Sequence, residues 1–165
     1  MRLKKVKIIF LYINKMSVAV VNQSQKNADM KFGNISEENI LEYLRSNISN
    51  KIYKYRNQYS IMDYYQKDEN NNIIAEYELK SRRIKHNQYG SLIFGENKFK
   101  NSVKQIDKNI RQIYIFNCLD GLYKWELKNP TLQKEEYYFT MCGNYARNDK
   151  PHSVCNIKTK YLSSI

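Results

Sequence analysis

The stretch that decides the fold is residues 59–83, YSIMDYYQKDENNNIIAEYELKSRR. Two runs rich in Tyr and Ile flank the polar segment KDENNN, whose asparagines tolerate the left-handed backbone of a tight turn. The pattern therefore predicts a β-hairpin. A two-residue loop at Asn70 and Asn71 pairs Asp63 directly with Glu78, with Cβ atoms about 5 Å apart on one face of the sheet.

The second strand of this hairpin divides its side chains between two faces. Alternation predicts one face of apolar residues, Ala75, Tyr77 and Leu79, and one face of charged residues, Glu76, Glu78, Lys80 and Arg82. Because facing carboxylates repel each other, Asp63 and Glu78 together call for a positive partner. A different interpretation also fits: Asp63 lies on the exposed side of an edge strand, and Glu78 forms a surface ion pair with Lys80 worth less than about 1 kcal/mol.

Two carboxylates and a lysine suit metal-assisted hydrolysis of phosphodiesters. Mg²⁺ is typically bound by one or two carboxylates together with waters and phosphate oxygens. Lys80, on the same face, can position the attacking water and stabilise the charge that grows at phosphorus.

Helical patterns flank the hairpin on both sides. Residues 34–55 predict a first helix with Ser36 as N-cap and Glu37 on the inward face; its apolar stripe is Ile40, Leu41, Leu44, Ile48 and Ile52. Residues 98–112 predict a second helix with Phe99, Val103, Ile106 and Ile110 on one side and Lys100, Lys104 and Lys108 on another. Residues 113–127 contain Asp120-Gly121, a strong hairpin signal. This order predicts an α+β fold in which helices cover one sheet.

Composition favours a polyanionic partner. The chain has 165 residues and a formal net charge of +12, and a field of that sign concentrates nucleic acid. Residues 31–165 are predicted to form a single domain, with residues 1–30 as an N-terminal extension or an added strand. Three cysteines without a CxxC pair suit free thiols in a reducing compartment. The apolar run near the N-terminus is broken by Asn14 and Lys15 and is too short to span a bilayer, so we expect a soluble intracellular protein without a membrane partner.

Residues 33–128 resemble the core of the PD-(D/E)XK nuclease superfamily. The matching features are Gly33 and Glu37 in GNISE, Asp63 in IMDYY, and Glu78 with Lys80 in YELKSRR. The G-x-x-x-E opening is similar to Holliday-junction resolvases, and the short single-domain form is similar to members of the superfamily carried by large DNA viruses. The resemblance implies a restriction-endonuclease-like αβββαβ core, a central mixed β-sheet flanked by helices.

The resemblance also implies roles for individual residues. Asp63 and Glu78 would hold Mg²⁺, for which Mn²⁺ could substitute, and the Leu79 carbonyl would be a third ligand. Lys80 would position the attacking water, and Glu37 would support the metal or water network. Met62 stands where the family motif has Pro. A register shifted by one residue would instead promote one of three neighbouring acids, Asp68, Glu69 or Glu76.

The expected substrate is DNA, with RNA not excluded. Arg82, Arg83 and Lys85 either contact phosphates beside the scissile bond or form a solvated basic loop with His86, and Lys100 and Lys104 either bind nucleic acid or line a solvated helix face. Resolvase-like relatives act as dimers, which leaves a homodimer open. The rival hypotheses are a non-catalytic nucleic-acid-binding module, which would use the basic surface alone, and an inactive nuclease-fold scaffold.

Overall fold

The computed structural model describes residues 27, 37–57, 59–143 and 150–165. Ser36, Gly33 and nearly all of the predicted extension at residues 1–30 lie outside the described residues. Helix α1 includes residues 37–47. The elements that follow are β1 (Ile52–Lys54), β2 (Tyr64–Lys67), β3 (Ile73–Ser81), β4 (Ser91–Gly95), α2 (Glu96–Ile106), β5 (Arg111–Cys118), β6 (Gly121–Leu127), β7 (Tyr137–Cys142), β8 (His152–Lys158), a 3₁₀ turn (Thr159–Tyr161) and β9 (Ser163–Ser164).

The larger sheet is mixed and has the strand order β1-β2-β3-β5-β6-β9. Strands β1, β2 and β3 are antiparallel neighbours, and β5 is parallel to β3. The parallel pair needs a crossover connection, which α2 provides. Up to β5, the described chain therefore runs helix, three antiparallel strands, β4 of a second sheet, helix, and a strand parallel to the third. The predicted α+β class is confirmed.

The two faces of the larger sheet pack against different elements. Tyr77, Leu79 and Ile113 lie on one face in a buried cluster with Ile40 and Leu44 of α1. The opposite face packs against α2 and a second sheet of three strands in the order β4-β8-β7; its cluster includes Tyr114, Phe116, Trp125, Phe94, Phe99 and Ile157. The prediction of one sheet is thus wrong, because the pairing partners of β8 are distant in sequence and residues after 143 carry little pattern.

The hairpin register is as predicted, but the turn is not. Tyr64 pairs with Tyr77 and Gln66 with Ala75, so one further step places Asp63 opposite Glu78. The loop is longer than the expected two residues: the backbone N–H of Asp68 donates to the carbonyl of Asn72 at 2.9 Å, and Asn71 has φ 66°. A register shift next to Lys67 restores the predicted pairing.

The first helix is shorter than predicted. The described helix ends at residue 47, Ile48 is 44% exposed, and Ile52 is fully buried in β1. Arg45 Nε donates to the Ile52 carbonyl at 2.8 Å, which ties the start of β1 to the helix. The helical spacing predicted a helix that was too long, because Ile52 continues the apolar stripe although it lies on a strand.

Two other boundaries differ from the prediction. Helix α2 ends at Ile106 because Asn109 adopts a φ of 62°, and Asn in the left-handed region commonly ends a helix, so Lys108 and Ile110 lie beyond α2. In the second hairpin Cys118 pairs with Gly121, so the loop is Leu119–Asp120 rather than Asp120–Gly121. Within the described residues, no helix is long and apolar enough to cross a membrane.

Candidate metal and nucleic-acid site

Asp63 bridges the first three strands through its backbone and side chain. Its N–H donates to the Tyr77 carbonyl at 2.9 Å, and its carbonyl accepts from the Tyr55 N–H at 3.0 Å. Its Oδ2 accepts the backbone N–H of Leu79 at 2.8 Å. The half-buried carboxylate is therefore fixed beside the segment of β3 that contains Glu78.

Glu78 is fully buried and faces two lysines. Its Oε1 lies 2.5 Å from Lys80 Nζ, and its Oε2 lies 2.9 Å from Lys98 Nζ. Burial raises the pKa of Glu78; Lys80 and Lys98 act to lower the pKa, and the charge of Asp63 adds to the increase. The predicted acids and Lys80 thus come together, and the alternative of an exposed Glu78–Lys80 surface pair is wrong because Glu78 has no exposed surface.

Lys98 also belongs to this cluster, although the sequence pattern does not predict it as a site residue. The residue lies in the first turn of α2, and its ammonium also donates to the Ile61 carbonyl in the loop before Asp63. The spacing of Lys98, Lys100 and Lys104 along the sequence does not indicate which of them contacts Glu78. Position on a helix alone does not show which lysine faces a strand of the preceding hairpin.

Glu37 stands apart from the two acids in its side-chain contacts. Its carboxylate pairs with Lys54 at 2.6 Å, whereas its backbone carbonyl accepts a 2.9 Å hydrogen bond from the buried Tyr64 hydroxyl. Burial raises the pKa of Tyr64, and the charges of Glu37, Asp63 and Glu78 raise it further. Glu37 is therefore near enough to share an electrostatic environment with the pair, although its carboxylate is directed to Lys54.

Glu76, Asp68 and Glu69, the acids that a shifted register would place at the site, make other contacts. Glu76 is buried and accepts from the Tyr55 hydroxyl at 2.5 Å and from Gln112 Nε2 at 3.1 Å. Asp68 accepts the N–H groups of Asn70 and Asn72 within the hairpin loop, and Glu69 pairs with Lys51 at the surface. These contacts leave Asp63 and Glu78 as the two carboxylates directed at the site.

The oxygen donors at this strand edge are two carboxylates and one carbonyl. Among the residues that the structure describes, no three His, Cys, Asp or Glu side chains form a group able to hold a metal ion. The available donors are the Asp63 and Glu78 carboxylates and the Leu79 carbonyl, which points to the same strand edge as the Leu79 N–H that binds Asp63. Two carboxylates with water and phosphate oxygens are a typical environment for Mg²⁺.

The predicted nucleic-acid-binding residues differ in their surroundings. Arg82 donates to the carbonyls of Ile93 at 2.9 Å and Ser81 at 3.2 Å, so its guanidinium joins β3 to β4. Arg83 and Lys85 are exposed in the loop that follows. On α2, Lys104 is exposed, and Lys100 pairs with Glu96 at 3.0 Å.

His86 fastens this basic loop to the second hairpin. Its backbone N–H and its Nδ1 contact the Asp120 carboxylate at 2.9 and 2.8 Å, and its ring stacks on Tyr123 with centroids 4.0 Å apart. Asp120 therefore sets the position of the loop that carries Arg83 and Lys85.

Neither of two sequence comparisons assigns this chain to a family. A scan against protein-family models finds no match. A search of curated proteins also finds no significant match.

Proposed function

We propose that the chain is a metal-dependent nuclease of the PD-(D/E)XK type that hydrolyses DNA. The observation that carries the proposal is the joining of Asp63 to the Glu78–Lys80 segment, through the 2.8 Å hydrogen bond between Asp63 Oδ2 and the Leu79 N–H. Two carboxylates that hold a metal ion and a lysine that positions water can together serve metal-assisted phosphodiester hydrolysis.

The order of elements supports the same proposal. Helix α1, strands β1 to β3, helix α2 and strand β5 follow one another in the order that an αβββαβ core would have, with β4 of the second sheet between β3 and α2. Asp63 directly precedes the second strand, Glu78 lies on the third, and Lys80 follows Glu78 by two residues. Residues 33–128 would then form the nuclease core; β4 lies within this range, and β7 and β8 add to it to complete the second sheet on the α2 face.

Each residue has a distinct part in the proposed reaction. Asp63 and Glu78, with the Leu79 carbonyl, would hold Mg²⁺ or Mn²⁺, which would supply Lewis acidity toward the scissile phosphate. The Lys80 side chain is 28% exposed and already contacts Glu78 Oε1, so its ammonium can donate to the attacking water or to a phosphate oxygen. The burial of Glu78 keeps bulk water from competing for its oxygens.

The charge of the chain supports DNA as the substrate. A net charge of +12 draws polyanions to the surface, and the basic loop that starts at Arg82 directly follows the Glu78–Lys80 segment. Arg83 and Lys85 would contact phosphates beside the scissile bond.

The proposal is tested by metal-dependent cleavage in matched variants. Supercoiled plasmid is incubated with Mg²⁺, Mn²⁺ or chelator and with wild-type protein or Asp63→Ala, Glu78→Ala or Lys80→Ala. Glu69→Gln is the acidic control, because Glu69 lies in the loop at the opposite end of β3. Cleavage lost in the three variants and kept in the control supports the proposal, whereas an active Glu78→Ala protein contradicts it.

One observation favours a second function. The Glu78 carboxylate already forms ion pairs with two lysines, Lys80 and Lys98. A non-catalytic module or a nuclease-fold scaffold would use such an ion-paired cluster as architecture. Metal-independent DNA binding with a steep salt dependence and no cleavage would indicate the binding module.

A further inference from the structure

The proposed reaction does not need two lysines on one carboxylate. Lys80 occupies Oε1 of Glu78, and Lys98 lies 2.9 Å from Oε2 with a side chain that is 18% exposed. Pairing one buried carboxylate with two ammonium groups is costly in free energy, because each charge loses hydration when it leaves water. Lys98 therefore needs an explanation of its own.

A charge count at the site gives that explanation. Asp63 and Glu78 carry two negative charges, and Lys80 and Lys98 carry two positive charges. A divalent cation that approaches Glu78 adds two more positive charges to a balanced cluster, and like charges within a few ångströms repel. Lys98 and the cation would compete for the same carboxylate oxygen, Oε2.

The second contact of Lys98 links Glu78 to the loop before Asp63. The Lys98 ammonium donates to the Ile61 carbonyl, and Asp63 follows Ile61 by two residues. One side chain of α2 thus holds both the third-strand acid and the backbone that leads into the second-strand acid.

We infer that Lys98 is the resident counter-ion of Glu78. It is a positioning residue that holds Glu78 and the Ile61 backbone in the metal-free protein and lowers the affinity of the site for divalent cations. The inference rests on the proposed function, since it concerns the same metal-binding carboxylates.

Metal affinity distinguishes this role from ordinary structural support. Mn²⁺ binding is measured by titration with electron paramagnetic resonance detection for the wild type, Lys98→Met and Lys98→Arg. We expect Lys98→Met to bind Mn²⁺ roughly tenfold more tightly, because a unit charge this close to the ligand opposes the cation by at least that factor. Lys98→Arg keeps the charge and should restore affinity near the wild-type value. Structural damage would instead weaken binding.

Lys100→Met is the matched control. Lys100 also lies on α2 and also pairs with a glutamate, but its side chain is 67% exposed and its partner is Glu96. Its removal should leave Mn²⁺ affinity within about twofold of the wild type, because an exposed charge farther from Glu78 is screened by solvent.

Limited trypsin digestion tests the contact with Ile61. Arg56 is exposed in the loop between β1 and β2. Without the Lys98–Ile61 bond this loop should open more often, so we expect metal-free Lys98→Met to be cut after Arg56 several times faster than Lys100→Met. If Lys98→Met does not fold, Lys98→Gln removes the charge and keeps a hydrogen-bond donor, and the affinity test is made on that variant.

The outcomes separate this inference from the proposed function. Folded Lys98→Met with unchanged or weaker Mn²⁺ binding overturns the inference, even if the wild type cleaves DNA. A wild type that neither binds Mn²⁺ nor cleaves DNA overturns the proposed function and the competition together. Tighter binding in Lys98→Met by a protein that does not cleave DNA supports the counter-ion role and contradicts only the catalytic proposal.

Discussion

The Leu79 backbone N–H donates a 2.8 Å hydrogen bond to Oδ2 of Asp63. Leu79 lies between Glu78 and Lys80, so this bond fixes the acid of one strand against the acid and lysine of the next. It uses one oxygen of Asp63 and leaves Oδ1 for another ligand. The relative position of the two carboxylates is thus a property of the backbone register.

Replacement of Asp63 should separate charge from hydrogen bonding. In chelator, Asp63→Asn should raise the free energy of unfolding by less than about 1 kcal/mol, because it removes a charge beside Glu78 while the amide oxygen still accepts from Leu79. Asp63→Ala should lower it by about 1 kcal/mol, because the Leu79 N–H loses its acceptor. Urea unfolding measures both. A clear decrease in the free energy of unfolding for Asp63→Asn would mean that attraction to the lysines outweighs repulsion by Glu78 at Asp63.

The buried Glu76 network should contribute to stability independently of the site. Tyr55→Phe removes the donor to Glu76 Oε1, and a buried acceptor left without its partner costs about 1 to 3 kcal/mol. Tyr53→Phe is the control, because Tyr53 is 38% exposed and stacks on Tyr65, and it should change stability by less than about 0.5 kcal/mol. Equal effects in the two variants under urea unfolding would argue against a stabilising role for this hydrogen bond.

Local pattern was sufficient for the hairpin and insufficient for the contacts around it. Strand alternation and the asparagine-rich turn predicted the pairing that joins Asp63 to Glu78, because both signals lie within 25 residues of continuous chain. The predicted two-residue loop is too short, because the sequence does not show that a register shift near Lys67 compensates for a longer turn. The predicted register around Asp63 and Glu78 is nevertheless the observed one.

Long-range contacts could not be predicted in the same way. Lys98 meets Glu78 only because α2 packs against one face of the larger sheet, and nothing in the spacing of the α2 lysines marks it. Similarly, Ile52 fits the helical stripe of residues 40–48 but packs from β1. The second sheet depends on β8, which pairs with a strand about 60 residues earlier in the chain, and such pairings leave no local pattern.

The tie between the basic loop and the second hairpin should weaken in acid. Desolvation acts to raise the pKa of Asp120, but hydrogen bonds from the His86 ring and backbone outweigh it and lower the pKa below 3.8. A lowered pKa stabilises the folded state above the unfolded-state value, and that stability is lost as the pH falls through the folded-state value. The wild type should therefore melt above Asp120→Asn at neutral pH.

The pH dependence of that difference is the critical observation. The difference in melting temperature between wild type and Asp120→Asn should shrink as the pH falls below about 4. Asp107→Asn, an exposed acid after α2, serves as the control for general charge effects. A difference that stays constant from neutral pH to about pH 2 would mean that the Asp120 charge does not hold the loop.

Removal of the exposed basic side chains should reduce the electrostatic part of DNA binding. The double variant Arg83→Ala/Lys85→Ala should bind DNA more weakly, and its slope of log affinity against log salt should be smaller by roughly two phosphate contacts. Lys67→Ala is the control, because Lys67 lies on β2 and pairs with Ile73, at the end of β3 away from Lys80. It should leave the slope unchanged. Fluorescence anisotropy over a salt series measures the slope. An unchanged slope in the double variant would place the DNA-binding surface elsewhere.

Cleavage of supercoiled plasmid, linear duplex and a branched junction by wild type and Lys80→Ala is the decisive comparison. Each substrate is incubated with Mg²⁺, with Mn²⁺ and with chelator, and DNA binding by both proteins is measured in parallel. We expect metal-dependent products with the wild type and none with Lys80→Ala, at similar DNA affinity; the substrate cleaved fastest identifies the preferred DNA structure. No cleavage by the wild type on any substrate, with equal DNA binding by both proteins, would mean that the chain is not a nuclease.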